Sequence, residues 1–410
     1  MSDEGGRPRL PLEGLRVADF FWLIAGPATS RMLSDLGAEV IKVETITRAD
    51  QIRDEGTRPP GAPPSSPNAV FHDCNTGKLS ITLNLNDPRG VELAKELVRR
   101  CDIVTNNFTG ERMDRWGLGY PDLVQVKPDI IMLSMPVMGT TGPYRTYGAN
   151  GIGVLAYGGL DANMGFPGRA PVGMGPLYSD FSSPYFAMAA LMAALHHRAR
   201  TGEGQFIDLA QAQATASLLG TDVLEYTANG RARPPEGNRA RDFAPHGAYR
   251  CWGDDRWIAI ACAGDEEWAR LAGAIGRPDL ARDPRFATHA ARKRHEDALD
   301  AEVTAWTRER DAWQAMHLLQ AAGVAASVVE DLEDLVVRDP HLPVQHFAPV
   351  LDVEGYATYT THRQPMRFDG EVPPVRRAPL FGEHNEYVFR ELLGLTEERY
   401  IELLVGEVIY

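Results

Sequence analysis

The first 137 residues alternate between short β-rich runs and stretches with helical spacing, and this alternation constrains the fold more than any other feature. Leu15–Phe21 and Ala38–Glu44 are β-rich, and Pro27–Leu36 between them has its apolar residues at helical intervals. Lys78–Leu85 alternates like a strand. Asn86-Asp87-Pro88 then opens a helix, with Asp87 as N-cap and Pro88 at the first helical position, where its missing N–H costs nothing. Asp102–Phe108 and Asp129–Val137 are the next strands, with Tyr120–Val126 helical between them. Repeated strand–helix–strand units predict an α/β fold around a largely parallel, doubly wound sheet.

Further along, Tyr185–Arg200 is a helix crowded with Ala and Met, a composition that allows close helix–helix approach. Phe206–Leu209 reads as a short strand and Gln211–Thr227 as a helix; Thr45–Pro67 reads as an irregular excursion. The polar, basic run Asn229–Phe243 marks a domain junction. Beyond it, Gly247–Cys251 and Arg256–Ala261 suit a hairpin around Asp254-Asp255, followed by helices at Glu266–Ile275, Ala298–Arg308 and Ala312–Ala322. The tail, Pro374–Tyr410, reads as loops with two short amphipathic helices.

Charge narrows the partners. Against 42 Lys and Arg stand 56 Asp and Glu, a net charge of -14, which argues against a nucleic-acid or anionic-membrane partner. A polyanionic ligand would need a local cluster of Lys and Arg. Cys74, Cys101, Cys251 and Cys262 show no CxxC pair and no metal-site spacing, so reduced thiols and no metal are expected. Met1–Pro11 has no signal-peptide core, and the longest apolar stretch, Pro184–Leu195, is too short for a bilayer. A soluble, cytoplasmic protein is expected.

A strand–helix–strand unit ending in Glu44 imitates a dinucleotide site, but the loop that should carry GxGxxG reads Leu23-Ile-Ala-Gly26-Pro27. With one glycine, followed by a residue lacking an N–H, the phosphate cradle is missing. Glu44 is instead expected to pair with Lys42 or cap local structure. Nor is there a G-x-S-x-G elbow, a P-loop or an HExxH. Carboxylate chemistry remains. An Asp titrating near ~3.9 is an anion at pH 7 and needs no general base to attack an acyl carbon. Asp180, in Pro176–Pro184, stands ahead of Ser183-Pro184, which resemble an N-cap and first helical position. That places the carboxylate in a loop before a helix whose N-terminus would keep it ionised. An Asx turn or loop cap is the plainer alternative.

These residues resemble the family III CoA-transferases (the CaiB/BaiF type), over nearly the whole chain from Pro11-Leu-Glu-Gly-Leu15 to Ala378-Pro-Leu-Phe-Gly-Glu-His-Asn385. The matching pieces are Ala25-Gly-Pro27, Asp35-Leu-Gly-Ala-Glu-Val-Ile-Lys-Val-Glu44, Asn107-Phe108, Met113-Asp-Arg-Trp-Gly-Leu-Gly119, Gly142-Pro143, Asp180 and Arg198-x-x-Thr-Gly-x-Gly-Gln205. The resemblance implies a Rossmann-like large domain built from both chain ends (1–225 and 330–410), a smaller α+β domain at 226–329, and an interlocked homodimer. It implies Asp180 as the nucleophile that attacks an acyl-CoA thioester, with an aspartyl anhydride and an aspartyl-CoA thioester following. It also implies CoA contacts at Leu23, Ile24, Ala25, Lys78, Asn107, Phe108 and Arg115. Coenzyme A would be a substrate, and no tightly bound cofactor is implied. Lys78, Arg112 and Arg115 are the local positive charge available, although Arg112 also reads as a solvated surface charge.

Three departures matter. Ile24 stands where formyl-CoA transferases place Gln, Thr45 replaces a basic residue, and their glycine-run loop is absent, with only an imperfect substitute around Gly237-Asn238-Arg239 and Pro245-His246-Gly247. Formate and oxalate are therefore not the expected substrates; the succinyl-CoA-using branch is closer. Acyl-CoA racemases of this fold carry a His where the chain has Gly148-Ala149-Asn150-Gly151, so a racemase ranks below a transferase. An intramolecular transfer, formally an isomerase, and a CoA-binding subunit of a heteromer stay open.

Overall fold

β1 (Arg16–Phe20), β2 (Glu39–Glu44), β3 (Leu79–Thr82), β4 (Ile103–Asn106), β5 (Ile131–Ser134) and β6 (Phe206–Asp208) form one sheet in the order β3-β2-β1-β4-β5-β6. A computed structural model of the chain describes residues 9–54, 68–175, 177–353 and 357–410. Every neighbouring pair in the sheet is parallel, as in Val17↔Val40 and Ala18↔Val104. The pattern follows from strand chemistry. Residues alternate between faces with period two, and here both faces are apolar, as a sheet covered by helices on each side requires. Ala18, Ile41, Val104 and Met132 pack on one side with Leu93 and Leu97 of the helix Pro88–Arg99. Val17, Val40, Ile103 and Ile131 pack on the other with Leu33 of the helix Ala25–Asp35 and Leu191 of the helix Tyr178–Thr201.

The chain divides into two compact units, Met1–Asp161 with Gly173–Ala232 and Val344–Tyr410, and Ala162–Val172 with Arg233–Pro343. The resemblance implies junctions at 226 and 329, and composition marks one within Asn229–Phe243; contacts place them at 233 and 343 and add 162–172, which neither reading singles out. In the first unit the C-terminal tail covers the exposed edge of the sheet. Asn385 Oδ1 accepts from the Thr82 N–H at 2.8 Å, His384 Nδ1 accepts from the Ser80 N–H at 3.2 Å, and Val388, Phe389 and Leu403 enter the core. The second unit is a three-stranded antiparallel sheet of β7 (His246–Arg250), β8 (Trp257–Ala261) and β9 (Ala325–Val329), packed by helices around Trp268 and Phe286. The expected hairpin is β7–β8. β9 has no β-branched run at its start, since Ala325-Ala326-Ser327 carries no strand signal.

Three expectations change. The helix placed at 185–200 begins at Tyr178, so Asp180 lies in its first turn rather than in a loop ahead of it. Pro184 is inside the helix, where its missing N–H leaves the Asp180 carbonyl without its i→i+4 donor. Packing outweighs that loss, because Ser179, Ser183, Pro184 and Ala187 are all buried. The helix expected at 211–227 breaks into Gln211–Ser217 and Gly220–Asn229, with the break just ahead of Gly220. Glu44 pairs with Arg53 through two bonds of 2.7 Å, leaving Lys42 to Asp50. Pro176 and residues 55–67 of the excursion lie outside the described residues.

Candidate active site

Doubly wound sheets bind ligands beyond the carboxyl ends of their strands, where the strand order reverses. Here that point lies between β1 and β4, and a cavity of about 710 Å³ opens there. Its walls are the loop after β1 (Trp22–Ala25), the segment after β2 (Thr45, Thr47, Gln51, Ile52), Asn107-Phe108-Thr109 after β4, and the turn Gly148–Gly151. Asp180 and Gln211 complete it from their helices. Leu23, Ile24, Ala25, Asn107, Phe108 and Asp180 thus share one cavity although they span 158 positions (180 − 23 + 1) of sequence.

The β1 loop is tightly held. Leu23 has a φ of 63°, a left-handed backbone that a bulky residue rarely adopts, and the residue is 41% exposed. Asn107 clasps Trp22, accepting from its N–H at 3.0 Å and donating to its carbonyl at 2.8 Å. Asp50 accepts from the Leu23 N–H at 3.0 Å. Gly26 is required for packing rather than for a phosphate, since a Cβ there would lie 2.3 Å from the Phe21 ring.

Asp180 is half-buried, and among the described residues no hydrogen bond or ion pair reaches its carboxylate. Burial pushes its carboxyl up to about 6, so the favourable end of the helix does not offset desolvation. At neutral pH the group is mostly an anion, but a more basic one than an ordinary aspartate. Among the described residues no His or Lys lines the cavity, so none of them stands beside Asp180 as a second base.

Positive charge comes from a short helix, Arg112–Arg115. Arg112 lines the Asp180 cavity with its guanidinium 5.5 Å from the Trp116 ring centroid. It also lines an adjoining cleft of about 560 Å³ with Arg115, Asn86 and Trp116. Neither guanidinium has an ion pair among the described residues. An aromatic series, Trp22–Phe108 at 5.6 Å and Phe108–Trp116 at 5.5 Å, runs between the two spaces.

Lys78 is not brought to either space. It is fully buried, and its Nζ lies within reach of four acceptors for its three hydrogens: Asp19, the Pro27 carbonyl, Ser30 and Asn75. Burial pulls its ammonium down to about 8, against the pull of Asp19. No hydrogen is left for a phosphate; the residue ties β3 to β1 beneath the site. Sequence reading also missed Trp22, Trp116, Asn150 and Gln211 as cavity residues. Only the Arg112–Trp116 segment carried a usable signal, one aromatic beside paired arginines.

A family model for CoA-transferase family III matches residues 12–385. A succinyl-CoA–D-citramalate CoA-transferase of Chloroflexus aurantiacus is 34% identical, covering 98% of this chain and 99% of its own. The beta subunit of a succinyl-CoA–L-malate CoA-transferase from the same organism is 31% identical, covering 99% and 100%. The crystal structure of a CaiB/BaiF family protein from Brucella suis superposes with a TM-score of 0.86 at 32% identity, over 94% of this chain and 100% of that one. Among the described residues no helix is long and apolar enough to cross a membrane.

Proposed function

This chain belongs to CoA-transferase family III, and we propose that it moves CoA from succinyl-CoA to a carboxylic acid through covalent intermediates on Asp180. An Asp180 oxygen attacks the thioester carbonyl, the C–S bond breaks, and CoA leaves as its thiolate from a mixed anhydride. The thiolate attacks the aspartyl carbonyl and expels the donor acid as a carboxylate, leaving an aspartyl-CoA thioester. The acceptor carboxylate displaces the thiolate to form a second anhydride. The thiolate then takes the acceptor acyl group and regenerates the Asp180 carboxylate.

The observation that carries this reading is the unpaired Asp180 carboxylate, raised by burial, at the wall of a cavity whose described lining holds no other carboxylate, His or Lys. Each step exchanges one anion for another, so no proton has to move and no imidazole is needed. Proton exchange at an α-carbon would need a second base, and none lines the cavity among the described residues. The aromatic series and Arg112–Arg115 suit the pantetheine arm and the phosphates of CoA, and the named relatives support succinyl-CoA as donor. Tyr185, 56% exposed, and Leu224, 67% exposed, offer apolar surface for a second copy of the chain. A homodimer is the assembly this favours, and light scattering should return twice 45.1 kDa.

Trapping tests the chemistry. Protein incubated with a panel of acyl-CoAs and hydroxylamine should yield a hydroxamate on Asp180, found by peptide mass spectrometry, with succinyl-CoA the most effective donor. An unmodified Asp180 in protein that binds CoA would overturn the covalent reading. The acid limb follows from the titration. Since only the anion attacks, kcat/KM should fall about tenfold per pH unit below about 6, in a stopped assay of thioester exchange. A limb near the ordinary aspartate range would contradict the burial effect.

A further inference from the structure

We propose that the buried Lys42–Asp50 ion pair is a positioning device for the acyl-CoA loop, joining two walls of the Asp180 cavity and holding Leu23 in its left-handed backbone. The inference rests on the reading that residues 23–25 face CoA. Both side chains are fully buried, with Nζ 2.9 Å from Asp50 Oδ2. Lys42 Nζ also donates to the Phe21 carbonyl at 2.7 Å, and Asp50 Oδ1 accepts from the Leu23 N–H at 3.0 Å. Each partner therefore grips the same loop at a different residue. The pair is held ionised on the lysine side: burial disfavours the ammonium, but Asp50, Glu44 and Asp19 together raise it.

The same carboxylate fixes the opposite wall. Asp50 accepts from the Ile52 N–H at 3.3 Å, next to Gln51 and Ile52, which line the cavity. The Glu44–Arg53 pair closes the ends of that segment. A left-handed conformation at a bulky residue persists only where the surroundings over-determine it, and Asp50 supplies one of those restraints directly. A buried pair that merely held the fold would grip framework; this one grips cavity-lining backbone on two sides.

The full chain provides the test. Asp50→Asn keeps the shape and one acceptor for Leu23 but removes the charge that Lys42 needs. The Kd for CoA, measured by titration calorimetry, should weaken about tenfold or more. Leu23→Gly accepts a positive φ without strain, so combining it with Asp50→Asn should recover part of that loss. Melting temperatures taken alongside separate a folding defect from a binding defect. If Asp50→Asn does not fold, Lys42→Met with Asp50→Asn removes both charges and carries the same comparison. Unchanged CoA affinity in a folded variant, or strictly additive losses with Leu23→Gly, overturns the positioning role. A wild-type chain that fails to bind CoA would overturn the CoA reading itself, which no Asp50 variant can imitate.

Discussion

Asp180→Ala is expected to cut CoA transfer by roughly four orders of magnitude or more while CoA still binds. The size of the effect follows from the site. Among the described residues the cavity lining offers no other carboxylate to take over the covalent step. Asp180→Glu should lose about a hundredfold, because one added methylene moves the attacking oxygen by more than the geometry tolerates. Initial rates with saturating donor and acceptor measure both, and turnover near wild type in Asp180→Ala would sink the mechanism.

The same residue carries a stability cost. Its folded-state titration, about 6, lies above the ordinary 3.8. Below pH 3.8 the group is neutral both folded and unfolded, and nothing is lost. As pH rises, the unfolded chain ionises first, and the folded state is penalised until its own carboxyl ionises near 6. Asp180→Asn should therefore raise the melting temperature at about pH 7.5 and leave it nearly unchanged near about pH 3, below the unfolded titration. Activity and stability then move in opposite directions, as at sites that hold a strained or desolvated group for function.

Arg112→Ala is expected to weaken CoA binding by about 10- to 100-fold, the equivalent of the roughly 1.5–3 kcal/mol of a charge-assisted hydrogen bond. Arg112 borders both the Asp180 cavity and the adjoining cleft, whereas Arg115 borders only the cleft, so Arg115→Ala should lose less. A pantetheine thioester, which lacks the nucleotide phosphates, should bind both variants as it binds wild type. Equal losses for CoA and pantetheine would mean that Arg112 acts by packing on Trp116. Arg112→Lys should recover only part of the affinity, since an ammonium cannot bond a phosphate bidentately.

Local rules carry much of the large unit. Alternating apolar runs placed β1 to β5, and Asp87 caps its helix as read, accepting from the Arg89 N–H at 2.8 Å. They fail where tertiary contacts override a local preference. Pro184 looks like a helix start, but burial of Ser179 and Ser183 carries the helix past it. Lys78 looks like a free cation, but the burial that seals it comes from residues as distant in sequence as Asp19 and Ser30.

The sequence by itself determined the parallel α/β sheet and the absence of a dinucleotide cradle, because strand period and glycine content are properties of short segments; Asp180 was singled out by the family resemblance, which rests on the order of motifs along the whole chain. Only the tertiary structure decided which cations face the cavity, what Glu44 pairs with and how basic Asp180 is. Those depend on desolvation and on partners brought together from distant segments, and no local pattern records them.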